Sequence, residues 1–450
     1  MAGVFGTDGV RARINTGPMT AEAVVRLALA AGRWFVDNNL EGRVGRPKVV
    51  IGKDTRLSGY MIESALVAGF TSIGMDCRLL GPLPTPAVAH LTNSLRADFG
   101  VMISASHNPH YDNGIKLFGP DGYKLDDEIE VEISQLAAGS IALADASDLG
   151  RARRMLDSVG RYVEFAKSSF PDNLRLDGMM VVVDCANGAA YRSAPDALSD
   201  LGVEVIPLFN EPDGYNINEG CGAVHPEVMA EAVVKHGATA GIALDGDADR
   251  LIVADETGHV LDGDQILACL AVAMKADGRL RGDGVVGTVM SNRAFERYLM
   301  GHGLTLHRAR VGDRYILEMM RQTGINLGGE QSGHILLTSL GTSGDGLVAA
   351  LQLLALLKRS EKPASHLFNA FTPSPQKLKN LRGLDPAILQ DESVKADLAK
   401  IEQELGDAGR ILVRPSGTEA LVRVMVEADD DTLLDATMAE IILRLQRDAE

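Results

Sequence analysis

Three similar mixed α/β domains followed by a smaller C-terminal α+β domain is the fold class this sequence predicts, on three observations. The chain has 450 residues, more than one ordinary core accommodates, and length alone suggests about three domains. Apolar runs of strand length recur along most of it, among them Phe99–Ile103, Met179–Val183, Ala240–Leu244 and Val285–Val289. They end in small polar residues and alternate with helical patterns along the chain, as parallel strands covered on both faces require. After about residue 362 the character changes to prolines, a charged helix and two strands across a short turn, which reads as an antiparallel sheet of a separate fold. The expected domains are 1–155, 156–254, 255–368 and 369–450.

Composition narrows the function. Lys+Arg 44 against Asp+Glu 61 gives a formal charge of −17, so neither nucleic acid nor an acidic membrane is an expected partner. An anionic substrate would need Arg and Lys gathered locally. Cys77, Cys185, Cys221 and Cys269 are widely separated and form no CxxC pair, which fits reduced thiols in a cytoplasmic protein. The opening residues lack a basic n-region and an apolar h-region, so a secretory signal is not expected. The most apolar helical stretch, Leu347–Leu357, is too short to span a bilayer.

Taken in order, Phe5-Gly-Thr-Asp-Gly-Val-Arg11 is a Gly-bracketed polar loop ending in a cation. Thr20 can cap a helix running to about Asn38. Strand Val49–Gly52 leads into Lys53-Asp54-Thr55-Arg56-Leu57-Ser58, where Ser58 can cap the helix to about Gly74. A strand near Cys77–Leu80, a helix near Thr85–Leu95 and strand 99–103 complete a βαβ series whose expected architecture is a parallel sheet. Asn108-Pro109 and Asn113-Gly114 are turn dipeptides, so the segment after Ile103 reads as a loop. Ser106, His107 and Lys116 bring a hydroxyl, a proton carrier and a cation to that one strand end, where α/β enzymes do chemistry. The mixed-charge stretch 145–157 marks a boundary. A second series follows, with strands near 179–183, 203–208 and 240–244 and a helix 227–236. A third has a helix from Asp264, strands 285–289 and 304–309, helix 293–302, and helices after Gly312-Asp313-Arg314 and near Asp345. Pro363, Pro373 and Pro375 form a linker to helix 391–405, strands 410–414 and 420–428, and helix 431–448.

The sharpest chemical signal is Asp245-Gly-Asp247-Ala-Asp249-Arg250 directly after a strand. Three carboxylates at alternate positions repel unless a cation lies among them, and hard oxygen donors select Mg²⁺ or Ca²⁺. A calcium loop is a rival, but Arg250 stands where such a loop needs glycine. An aspartyl-phosphate enzyme with Asp245 as nucleophile is another. Arg414-Pro-Ser416-Gly417-Thr418-Glu419 offers backbone N–H groups, two hydroxyls and a guanidinium to an anion. Arg423, on a strand face with Leu421 and Met425, needs a partner. Gly329-Glu330-Gln331-Ser332-Gly333-His334 suits vicinal hydroxyls and a proton. Arg11, Lys53, Arg56 and Lys116 each lie near a glycine, where a lone cation is more often solvated than a ligand.

Together these motifs resemble the α-D-phosphohexomutase family over essentially the whole chain. Ser-Ala-Ser-His-Asn-Pro, Asp-Gly-Asp-Ala-Asp-Arg, Gly-Glu-Gln-Ser-Gly-His and Arg-Pro-Ser-Gly-Thr-Glu occur in the family's order. The resemblance implies four domains around a central cleft and an intramolecular phosphotransferase. It makes Ser106, rather than Ser104, the phosphoserine. Asp245, Asp247 and Asp249 would bind one Mg²⁺ together with the phosphoryl group on Ser106. Arg11, His107, Lys116 and His334 would surround the reacting oxygen, with Lys116 or His334 as general acid/base. Arg250 would lie beside the metal loop at the substrate, and Glu330 and Ser332 would recognise sugar hydroxyls. Arg414, Ser416, Gly417, Thr418 and Arg423 would grip the phosphate not being transferred. A hexose 1,6-bisphosphate is implied as intermediate and activator. The opening motif, Gln331 and the segment 216–226 point to the branch acting on amino-sugar phosphates, although Ala223-Val224 stands where relatives carry Ser-Thr. A homodimer is the assembly left open.

Overall fold

The apolar runs become the central strands of four sheets in a computed structural model that describes residues 5–6, 8–38, 45–415 and 421–447. In the first domain these are β1 (Val10–Arg13), β2 (Lys48–Lys53), β3 (Asp76–Pro82), β4 (Phe99–Ile103), β5 (Asp112–Phe118) and β6 (Ala152–Arg154), in the order β1-β5-β4-β2-β3-β6. Strands β2, β3, β4 and β6 run parallel, and β4 is buried along its whole length. The second sheet has β7 (Met180–Asp184), β8 (Glu204–Leu208), β9 (Ala240–Leu244), β10 (Leu251–Asp255) and β11 (Val260–Leu261), ordered β11-β10-β9-β7-β8. The third has β12 (Gly284–Thr288), β13 (Thr305–Ala309), β14 (Leu327–Gly329) and β15 (Ile335–Leu337), ordered β13-β12-β14-β15. The C-terminal sheet, β16 (Gln376–Arg382), β18 (Leu421–Ala428) and β17 (Gly409–Pro415), is antiparallel throughout with β18 central.

Several expectations need correction. The first three sheets are mixed, not wholly parallel: β5 runs antiparallel to β4 and β1, β10 to β9, and β15 to β14. The segment after Ile103 is not loop throughout, because Asn113-Gly114 lies inside β5. Gly114 is there for close approach rather than a turn: a Cβ would come within 2.4 Å of the Ser104 carbonyl oxygen. The proline-rich linker contains a short helix, Ala364–Phe368, and leads into β16. Helix Asp127–Ala138 precedes the mixed-charge stretch and β6 lies within it, two elements the sequence pattern does not predict. Thr20 accepts the Ala23 N–H as expected, but Ser58 does not cap helix Gly59–Ser72; its Oγ accepts from Asn113 Nδ2 at 2.9 Å instead. The helix expected from Asp264 begins at Gly263, capped reciprocally by Asp262 and Gln265.

One buried apolar cluster runs through the first three domains, from Val50 and Met102 through Val181 and Leu244 to Val285 and Leu351. The C-terminal domain has its own, built from Leu381, Val394, Val422, Val424, Leu434 and Ile441. Its polar contacts with the third domain gather on residues 289–297, where Arg410 donates to the Val289 and Ser291 carbonyls and Arg293 N–H to Glu427. Among the described residues no helix is long and apolar enough to cross a membrane.

Candidate active site

The sheets place the motif loops at strand ends. Ser106 follows β4, with φ +50°. It is 2 % exposed, and its Oγ donates to Asp245 Oδ2 at 2.5 Å. His107 Nδ1 lies 3.4 Å from the same Oγ. Burial, aided by Arg250 and Arg11, pushes the His107 imidazole down to about 4, so it is neutral at pH 7. Ser104 has different company: its Oγ donates to Asp54 Oδ2 at 2.6 Å and accepts the Ser106 N–H at 2.9 Å.

The acidic motif is the connection of the β9–β10 hairpin, whose ends pair Leu244 with Leu251. It is therefore a tight turn rather than the extended backbone its alternation suggests, with Ala248 at φ +58°. Asp245, Asp247 and Asp249 are buried and each bring a carboxylate oxygen within 4.8 Å of the others, the one such cluster of three among the described residues. Asp247 Oδ2 accepts from Thr85 Oγ1 at 2.5 Å and Lys116 Nζ at 2.9 Å, and Asp249 Oδ2 from Lys116 at 3.2 Å. Oδ1 of Asp247 and Oδ1 of Asp249 are buried with no hydrogen-bond partner among the described residues. Burial, with the neighbouring Asp249 and Asp247 charges, raises Asp245 to about 8. For Asp249, burial is outweighed by Lys116 and His334, and its carboxyl is held well below the usual range. Convergent hard oxygens, two of them without a hydrogen-bond partner among the described residues, fit a divalent cation.

Three of the four loop cations are not solvated. Lys116 lies on β5 and is 1 % exposed. Burial opposes its charge, but Asp247, Asp8 and Asp249 outweigh it and the ammonium holds its proton far above the usual range. Lys53 is buried against Glu63 at 2.9 Å, and Arg56 is buried beneath the serine loop. Arg11, on β1, stays partly exposed, bonded to Asp8 at 2.9 Å and to Asn108 Oδ1 at 3.4 Å. Asp8 also pairs with Lys124, which reaches Asp313 at 2.5 Å. His334 closes the set, with Nδ1 3.6 Å from Asp249 and Nε2 3.5 Å from Asp313. Burial works against its charge, but Asp249 and Asp313 raise it to about 9, so it carries two ring protons at neutral pH. Asp8, Thr85, Lys124 and Asp313 were not singled out from the sequence. Asp8 and Asp313 sat in quoted motifs, but only the fold supplies their partners.

The Gly-Glu-Gln-Ser-Gly-His motif forms the β14–β15 hairpin. Glu330 Oε1 accepts the Gly312 N–H at 2.9 Å and Oε2 the Ser332 hydroxyl at 3.3 Å. An isolated bridge joins Arg250 to His334, and Leu251 N–H donates to the Gly333 carbonyl at 2.9 Å, so this hairpin and the acidic one meet backbone to backbone. Arg250 N–H donates to Asp245 Oδ1 at 3.2 Å, while its buried Nε has no hydrogen-bond partner among the described residues.

In the C-terminal domain Arg414 on β17 stands directly opposite Arg423 on β18. Two like charges in register destabilise a strand pair unless an anion lies between them. Burial and then Arg423 depress the Arg414 guanidinium, and the buried Arg423 Nε has no hydrogen-bond partner among the described residues. Ser416, Gly417 and Thr418 lie outside the described residues.

Four stretches of the chain match successive domains of one family, phosphoglucomutase/phosphomannomutase: residues 2–141 its alpha/beta/alpha domain I, 160–258 domain II, 262–374 domain III and 376–444 the C-terminal domain. The chain is 57% identical over 449 residues to the phosphoglucosamine mutase of Paracoccus denitrificans, with 99% of each chain covered. It is 57% identical over 440 residues to that of Granulibacter bethesdensis, covering 97% of this chain and 95% of the relative. Its fold matches a phosphoglucomutase/phosphomannomutase family protein from Burkholderia thailandensis with a TM-score of 0.84 at 24% identity, covering 100% of this chain and 98% of the other. It also matches the Aspergillus fumigatus N-acetylphosphoglucosamine mutase, solved with GlcNAc-6P and magnesium, with a TM-score of 0.68 at 17% identity, covering 99% and 96%.

Proposed function

Since the chain belongs to the phosphoglucomutase/phosphomannomutase family across all four domains, we propose that it interconverts glucosamine 6-phosphate and glucosamine 1-phosphate through a phosphoserine at Ser106. The observation that carries this reading is the Ser106 hydroxyl bonded at 2.5 Å to the first carboxylate of a buried acidic triad. Full-length identity of 57% to a phosphoglucosamine mutase supports the choice of an amino sugar.

On this reading phospho-Ser106 donates its phosphoryl group to the free hydroxyl of the hexose phosphate. The P–O bond to Ser106 Oγ breaks as one to the sugar oxygen forms, giving a 1,6-bisphosphate. The intermediate turns over in the cleft, and Ser106 takes back the phosphoryl group from the other end. Asp245, Asp247 and Asp249 would hold one Mg²⁺, which would neutralise charge on the transferred group. Lys116 donates to Asp249 Oδ2 and His334 Nδ1 stands 3.6 Å from Asp249 Oδ1, and one of the two exchanges the proton of the reacting hydroxyl. Arg11 adds positive charge beside them, and His107 meets Ser106 as a neutral ring. Arg250 faces the substrate beside the metal loop, and Glu330 and Ser332 read the sugar hydroxyls. Arg414 and Arg423, with Ser416, Gly417 and Thr418, grip the phosphate that is not being transferred. Such a reaction is mostly positioning and charge neutralisation, which these groups supply.

The chain would act in the cytoplasm on small sugar phosphates, feeding UDP-N-acetylglucosamine synthesis, as a monomer or homodimer that sedimentation distinguishes. A coupled assay comparing glucosamine 6-phosphate with glucose and mannose phosphates tests the substrate. Preference for glucosamine is expected, and preference for mannose or glucose would reassign it. Release of inorganic phosphate without isomerisation would instead make it a phosphatase.

A further inference from the structure

A non-glycine residue in the left-handed region is held there by its surroundings rather than by its own preference, and Ser106 is such a residue. Arg56 supplies the hold. Its guanidinium is wholly buried, and all five of its N–H donors find acceptors. Nε pairs with Asp54 Oδ2 at 2.7 Å. Nη2 donates to the carbonyls of Ser106 at 2.9 Å and Asn108 at 2.7 Å. Nη1 donates to the Asp112 carbonyl at 3.0 Å and also to that of Pro109. Asp54 takes the Ser104 hydroxyl, and Ser104 takes the Ser106 N–H, so both peptide groups of Ser106 lead back to one ion pair.

The second domain grips the same loop. Asn218 Nδ2 donates to the Ser106 carbonyl at 2.9 Å and the Asn108 carbonyl at 3.1 Å. Asn218 is itself 7 % exposed, with its N–H bonded to the Ala186 carbonyl. Gly246 of the acidic hairpin backs against the same oxygen, where a Cβ would come within 2.6 Å of it. We infer that Arg56 and Asn218 are positioning residues that fix Ser106 Oγ against the acidic triad, Arg56 from within the first domain and Asn218 across the domain boundary. The inference rests on Ser106 being the phosphoryl carrier. Neither side chain bonds a reacting atom; both act through the Ser106 carbonyl. The planar fork is essential, because an ammonium has three donors and no fixed plane with which to serve four carbonyls and a carboxylate.

Asn218→Ala and Arg56→Ala test this by steady-state kinetics, thermal unfolding and the rate at which glucose 1,6-bisphosphate phosphorylates Ser106, followed by intact mass. Misplacing a reacting group by about 1 Å costs on the order of 10²-fold. Asn218→Ala is therefore expected to lower kcat and the loading rate about 10- to 100-fold, with KM moved less than about threefold and the unfolding midpoint nearly unchanged. Millimolar guanidinium, but not methylammonium, should restore part of the activity of Arg56→Ala. If wild type loads phosphate on Ser106 and Asn218→Ala loads and turns over equally fast, the inference falls and the carrier reading stands. If wild type takes no phosphate on Ser106, the carrier reading fails and this inference with it.

Discussion

Lys116 shows how charge and burial are reconciled at the site. A buried ammonium is costly alone, yet here it bonds Asp247 and Asp249 and lies 3.4 Å from Asp8. Breaking a buried pair on one side costs about 3–5 kcal/mol. Lys116→Met, unfolded by denaturant in the presence of a chelator, should lose stability of that order, and added Mg²⁺ should recover part of it. No recovery would argue against a cation among the carboxylates. The sequence could not have placed this lysine, because its partners are 131 and 133 residues away. The same distance problem hid the difference between Ser104 and Ser106. Both are small hydroxyls in one loop, and what separates them is Asp54 for one and Asp245, 139 residues on, for the other. Residue types at the site were legible; which cations would be buried was not.

Elements were most legible where one physical rule dominates. The wholly apolar strands β4 and β9 and helix Glu227–His236 lie where periodicity puts them. Strand β5 was hidden by its Asn-Gly dipeptide, since glycine serves close approach as well as turns. Gly114→Ala should accordingly destabilise the protein by about 1–3 kcal/mol through overpacking against the Ser104 carbonyl, whereas a glycine needed only for a turn in solvent would tolerate alanine. In the first turn of helix Gly263–Ala276, burial raises Asp264 from the ordinary 3.8 to about 7, with Asp262 adding to the shift. A carboxyl with a raised folded pKa contributes stability that is full below about pH 4 and is lost as pH rises through about 7. Asp264→Asn removes that titration, and its amide oxygen can still accept the Asn292 N–H. The variant's stability relative to wild type should therefore improve between pH 4 and pH 8, by up to about 4 kcal/mol. A difference that is flat with pH would show that Asp264 is not buried as described.

At the scale of the whole molecule, one buried apolar cluster links the first three domains, and the fourth has a separate one. The α/β series and the change of character near residue 362 were legible as repeated strand, loop and helix patterns. The backbone links that assemble the site were not: Thr85 to Asp247, Arg250 to His334 and Gly346 to Ala248 each join distant segments. A separately cored domain meeting its neighbour at the polar seam on residues 289–297 is suited to move as a body, so we expect sugar bisphosphate to reduce the radius of gyration in solution scattering. On the proposed reading, closure would relieve the repulsion between the opposed Arg414 and Arg423 by bringing an anion between them. Arg414→Ala should raise KM about 10-fold or more, in line with about 1.5–3 kcal/mol for a hydrogen bond to a charged group, and should abolish the ligand-induced compaction. An unchanged KM would remove this arginine from the phosphate clamp.

Whether Ser106 carries the phosphoryl group beside a metal-binding triad is read out by intact mass and peptide mapping after incubation with glucose 1,6-bisphosphate and Mg²⁺. One acid-stable phosphoryl group is expected on Ser106, absent from Ser106→Ala, whose mutase turnover should fall on the order of 10⁴-fold. A hydroxylamine-labile phosphate on Asp245, or a Ser106→Ala variant that keeps its turnover, would contradict that role for Ser106.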